Sequence, residues 1–132
     1  MSPIRILLQI SDEGERQELG RSLQSFLESE LKSPVEIAAY GNASETLLVA
    51  MDQVVDLVII DDKNSMGEIG WETLASEIKD LDKAITVILG RSEGFEAALG
   101  VEGVITKNVV ETWKSILNYL RKPDMSSKVF CA

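Results

Sequence analysis

Short, nearly uninterrupted apolar runs alternate with segments of helical period along almost the whole chain, and that alternation admits few folds. The runs are Ile4 to Ile10, Val35 to Tyr40, Val55 to Asp61, Ala84 to Leu89 and Gly103 to Lys107, each of strand length. Between the first two, Leu19, Leu23, Phe26, Leu27 and Leu31 recur at helical spacing until Ser33-Pro34 stops the pattern. Ser44 is placed to cap a short helix to about Gln53, carrying Leu47, Leu48 and Met51 on one face. A loop containing Gly67 and Gly70 leads into a helix from Trp71 to Leu81, with Leu74, Ile78 and Leu81 inward. Residues 93–99 read as a short helix between Gly94 and Gly100. Val109 to Arg121 keeps Val109, Trp113, Ile116, Leu117 and Leu120 in phase before Pro123 ends it. Strands covered on both faces read as continuous apolar runs rather than alternating ones. The predicted fold is therefore α/β: a doubly wound five-stranded parallel sheet with helices on both faces. Residues 1–122 are expected to form one domain, and 123–132 a disordered tail.

Composition removes several functions. The chain has no histidine, which excludes histidine acid–base chemistry and histidine-ligated metals. Its one cysteine, Cys131, permits no internal disulfide, as expected of a reducing cytoplasm. The first ten residues lack a signal-peptide layout, and no apolar run is long enough to span a bilayer. Acidic residues outnumber basic ones 22 to 13, for a net charge of −9, and the basic residues form no cluster beyond Arg121-Lys122. Direct nucleic-acid binding is thereby disfavoured, whereas a hard cation or a basic protein partner suits the charge.

Two strand ends carry the chemistry. Asp56-Leu57-Val58-Ile59-Ile60-Asp61 is an apolar run ending on a carboxylate, and Ile105-Thr106-Lys107 one ending on an ammonium. In a parallel sheet both emerge at the carboxyl edge, where open α/β folds place ligands. A carboxylate facing an ammonium there suggests a covalently modifiable aspartate and a lysine that senses its charge. A flavin or nucleotide site is a poor alternative: Ser11-Asp12-Glu13-Gly14-Glu15 would repel a phosphate, and no Gly-x-Gly-x-x-Gly or Walker loop exists.

In this order of elements the chain resembles the receiver domain of two-component response regulators, a flavodoxin-like (βα)5 fold. Three segments carry the resemblance: Val55 to Asp61, Gly70-Trp71-Glu72-Thr73-Leu74, and Gly100-Val101-Glu102-Gly103-Val104-Ile105-Thr106-Lys107. It implies that Asp61 is the phosphoacceptor, that Lys107 senses the phosphate, and that a histidine kinase or phosphotransfer protein donates the phosphoryl group. Such a domain is not itself an enzyme. With no DNA-binding or catalytic segment after the last helix, it would act on a downstream protein target through the fourth helix, fifth strand and last helix. A homodimer through the last helix and fifth strand is a further expectation. Mg²⁺ is the cofactor the resemblance implies.

The departures bear on that cofactor and on the switch. Receivers place two acids after the first strand to hold Mg²⁺; here an ungapped alignment puts Ile10 and Ser11 there. A one-residue shift brings in Asp12, which gives a metal set of Asp12, Asp61 and the Lys63 backbone carbonyl, with Glu13 and Asp62 as auxiliaries. The competing reading makes Asp12 the cap of the first helix, with Glu13 and Glu15 favouring its dipole. Gly90 replaces the switch hydroxyl, for which Ser92 is a stand-in, Val104 replaces the switch aromatic, and Asn108 the proline after the lysine. The alternative function is accordingly a pseudo-receiver, the same fold used as a phosphorylation-independent interaction module.

Overall fold

A computed structural model describes residues 3–31, 34–63, 70–82, 84–91, 100–106 and 113–121, without the side chains of 119 and 121. The elements are β1 (Ile4–Gln9), α1 (Glu13–Glu30), β2 (Val35–Tyr40), α2 (Ala43–Asp52), β3 (Leu57–Asp61), α3 (Trp71–Leu81), β4 (Thr86–Arg91), β5 (Gly103–Thr106) and α4 (Trp113–Arg121). The five strands form one sheet in the order β2-β1-β3-β4-β5, and every pairing is parallel. This is the doubly wound sheet that the continuous apolar runs predict.

Alternation along the strands divides the core into two layers. Ile6, Leu8, Leu57, Ile59, Ile88 and Ile105 point to the face covered by α1 and α4, through Leu19, Leu23, Leu27, Trp113, Ile116 and Leu117. Leu7, Val58, Ile60 and Val87 point to the other face, covered by α2 and α3 through Ala50, Leu74, Ala75 and Ile78. β3 is central and buried along its whole length. Each of its aliphatic side chains contributes roughly 1.5–3 kcal/mol on leaving water, so the strand that ends on Asp61 is the best anchored in the sheet.

Several boundaries differ from the sequence expectation. β4 begins two residues later than Ala84, because Asp82 folds the preceding segment into a turn: its side chain accepts from Ala84 N–H at 2.9 Å and its carbonyl from Ile85 N–H at 3.1 Å. β4 also runs through Gly90 to Arg91, since Gly90 pairs with both Asp61 and Ile105. β3 starts at Leu57; Asp56 instead brackets β1, donating to Arg5 O and accepting Arg5 N–H on Oδ2, each at 2.9 Å. The cap of α2 is Asn42, whose Oδ1 accepts Glu45 N–H at 2.7 Å, and not Ser44. The core-facing residues of α2 are Ala43, Thr46 and Ala50, with Leu47 partly buried, whereas Leu48 and Met51 are exposed. Leu81, expected inward, is exposed as well. The expected helix at 93–99, the loop 64–69, the start of the last helix at 109–112 and the tail 123–132 lie outside the described residues.

Candidate functional site

Asp61 terminates β3 at the carboxyl edge, and only 1% of its surface is exposed. Two backbone N–H groups hold its carboxylate: Ser11 N–H donates to Oδ2 and Lys63 N–H to Oδ1, each at 3.1 Å. Donors of this kind fix where its oxygens point. Ser11 is tied to the site a second time, its hydroxyl donating to the Lys63 carbonyl at 2.9 Å. The end of β1 and the loop after β3 are thus clasped through one serine. Asp62 continues the strand's direction by donating its N–H to Gly90 O at 3.0 Å, and its side chain is half-buried.

The residues before Ser11 explain why no acidic pair stands there. Ile10 is fully buried and belongs to the core layer under α1 and α4. Gln9, pointing to the opposite layer, is 1% exposed; its Nε2 reaches Gly41 O at 3.3 Å while Oε1 has no partner. Arg16 donates from Nη1 to the Ile10 carbonyl at 3.0 Å, and its guanidinium lies where a side chain on Gly41 would have to sit. The Ile10–Ser11 peptide group therefore accepts from a cation on one side and donates to Asp61 on the other. Such a chain polarises each of its hydrogen bonds in the same sense.

The sequence-predicted site residues distribute as follows. Asp61 and the Lys63 carbonyl come together, joined by Ser11. Asp12 caps α1, its Oδ2 accepting Glu15 N–H and its carbonyl accepting Arg16 N–H, both at 2.8 Å. Glu13 is exposed in the first turn of α1, where with Glu15 it complements the helix dipole. Gly90 lies beside Asp61 in the sheet, and Val104 is half-buried opposite Leu89. Lys107, Ser92 and Asn108 fall outside the described residues. Sequence reasoning missed the two bonds of Ser11 and the place of Arg16. The signal for Ser11 was present, since the ungapped alignment sets it at the strand end, but a hydroxyl there was read only as a lost carboxylate.

No family model matches the sequence, and no curated protein matches it. Solved structures do. A CheY-like response regulator receiver domain protein from Methanospirillum hungatei superposes with a TM-score of 0.70 at 22% identity, over 93% of this chain and 98% of that one. The response regulator TrrA from Thermotoga maritima, solved in complex with Mg²⁺–BeF, gives 0.71 at 22% identity, over 91% and 98%. A structure of the histidine kinase ThkA in complex with TrrA gives 0.69 at 23% identity, over 89% and 98%. The fold of this chain is that of response-regulator receiver domains.

The neighbour TrrA is solved with Mg²⁺, which makes magnesium the ion to weigh against these residues. It takes about six hard oxygens in near-octahedral geometry, commonly with one or two carboxylates from the protein and the rest from water and phosphate. Around Asp61 the described residues supply its own carboxylate, that of the adjacent half-buried Asp62 and the Lys63 carbonyl, the last already bonded by Ser11. Ile10 is core, and the Asp12 carboxylate is engaged at the helix cap. Among the described residues no group of three or more acids suits a metal. The donor set fits magnesium poorly, and no step below passes through a metal.

Proposed function

We propose that this protein is an atypical receiver in two-component phosphorelay signalling, one that takes a phosphoryl group on Asp61 and acts through protein–protein contacts. One observation carries the reading: a single buried carboxylate stands at the carboxyl edge of the central strand, aimed by two backbone N–H groups. In the transfer, an Asp61 oxygen attacks phosphorus and forms the acyl phosphate P–O bond. The bond from phosphorus to the donor's nitrogen or oxygen breaks, and the leaving group departs with the electron pair and takes up a proton. The Asp61 oxygen that becomes the bridging anhydride oxygen gives up the hydrogen bond from its N–H donor, while the carbonyl oxygen keeps its own. Holding that geometry before reaction is the protein's contribution. Lys107 is proposed to neutralise the new charge, with a histidine kinase or phosphotransfer protein as donor, as ThkA is found with TrrA.

A protein of this kind is a cytoplasmic signalling module and not an enzyme. No helix among the described residues is long and apolar enough to cross a membrane. Output through β5 and the last helix, and pairing of two copies there, belong to the same proposal.

A second reading, the pseudo-receiver, draws on the other side of the site. Ile10 fills the core where an acid would be needed, and Ser11 occupies the carbonyl that a metal would use. Intact mass after incubation with a small phosphodonor, with and without Mg²⁺, separates the two readings. A phosphoryl-sized increment present in the native protein and absent in Asp61→Asn supports phosphorylation, and its metal dependence reports directly on the cation. No increment under conditions that modify a conventional receiver sinks the first reading and leaves the second.

A further inference from the structure

The large hydrophobic residues left exposed among the described residues gather at one corner. They are Leu48, Met51 and Val54 at the end of α2, and Leu81 at the end of α3, at 64%, 61%, 78% and 44% exposure. α2 and α3 pack side by side, and both return antiparallel to the strands, so this corner lies at the edge of the sheet opposite Asp61. A depression of about 560 Å³ lies on the α2 side of it, lined by Leu48, Val49, Met51, Asp52 and Gln53.

α2 is built the wrong way round for a helix with one covered face. Its fully buried residues are small, Ala43, Thr46 and Ala50, with Leu47 and Val49 partly buried beside them, while Leu48 and Met51 face solvent. A helix that is apolar on both sides is ordinarily covered on both, and an apolar patch rimmed by polar groups marks an interaction surface.

Charge identifies the occupant. Asp52, Glu77, Asp80 and Asp82 are all exposed on the same two helix ends and their boundary. α2 has no basic residue in its last turn, so its carbonyl-end dipole adds to the negative field. Of the lysines in this stretch, Lys79 spends its ammonium on Glu102 and Ile85 O, at 2.9 and 2.7 Å, and the other is Lys83. That acidic rim repels the same corner of a second copy, an anionic lipid surface and a nucleic acid. We infer that the α2–α3 corner docks a cationic amphipathic helix of another protein, its apolar stripe on Leu48, Met51, Val54 and Leu81 and its Lys/Arg residues against the acidic rim. This is helix-in-groove recognition with the polarity set by the rim, and it does not involve Asp61.

The test is a titration of isotope-labelled protein, followed by amide and methyl NMR, with a model helix of leucine and lysine. A leucine–glutamate helix of the same pattern serves as the control. The lysine helix is expected to shift signals of residues 48–54 and 77–82 saturably, and the glutamate helix to shift none. Raising salt from about 0.05 to about 0.5 M is expected to weaken binding by about tenfold, through screening. The double variant Leu48→Glu, Met51→Glu, both at exposed positions, is expected to melt like the native protein and to lose the shifts. Shifts spread evenly, centred elsewhere, equal for both helices or unchanged in the double variant overturn the inference. So does concentration-dependent broadening of the same signals without peptide, which would assign the corner to self-association.

Discussion

Replacing Glu102 by alanine is expected to cost far more than the loss of one surface ion pair. Glu102 Oε1 accepts from Lys79 Nζ at 2.9 Å and from Val87 N–H at 2.8 Å, and its own N–H donates to Val87 O at 2.8 Å. It thereby extends the β4–β5 ladder by one rung before β5 begins. The ion pair itself is modest, since the Lys79 and Glu102 side chains are 27% and 34% exposed and solvent screens them, leaving roughly 0.2–1 kcal/mol. The backbone N–H of Val87 is different: Val87 is fully buried, and stranding a buried donor costs about 1–3 kcal/mol. Glu102→Ala should therefore lose about 2–3 kcal/mol in all. Glu102→Gln retains an oxygen for Val87 and should lose only the ion-pair part, below about 1 kcal/mol. The assay is urea unfolding with the slope held common; at about 1–3 kcal/mol per molar urea, the alanine variant shifts the midpoint by on the order of 1 M or more. The reasoning fails if the glutamine and alanine variants unfold at the same midpoint. It fails equally if neither moves.

Two further substitutions probe the site's surroundings. Asp12→Ala removes the side chain that caps α1 and should cost about 1 kcal/mol, with Asp12→Asn restoring most of it; thermal unfolding reads both. Ile10→Asp, which restores an acid at the strand end, should not create a metal site. It places a charge at a fully buried core position and should cost upward of about 3 kcal/mol, visible as loss of the cooperative unfolding transition.

What was legible in the sequence follows the length and purity of the apolar pattern. β2 falls where its run predicts, and β3 ends on Asp61, because an aliphatic run closed by a carboxylate has one natural stopping place. β4 runs past Leu89, where its apolar run ends, because in a parallel sheet a glycine between two paired neighbours simply continues the ladder. The start of that strand was hidden by the Asp82 turn, a local hydrogen-bond pattern with no hydrophobic signature. The face of α2 was misread for a physical reason: helical spacing identifies apolar residues on a stripe but not which stripe meets the sheet when both are apolar. At the site, residue types located Asp61, yet Ser11 and Arg16 act through backbone atoms, and side-chain identity carries little information about such bonds.

α3 runs from the Asp61 edge of the sheet to the apolar corner. Its 11 residues, at about 1.5 Å each, give roughly 16 Å of separation between the Asp61 edge and the apolar corner. The two surfaces share no residue, so a bridged three-body assembly is one in which each partner meets a different end of the domain. Joining two bodies across so short a rigid span raises the effective concentration of each for the other. In that arrangement the domain works as a short strut whose value lies in what it brings within reach, whether or not its own shape changes.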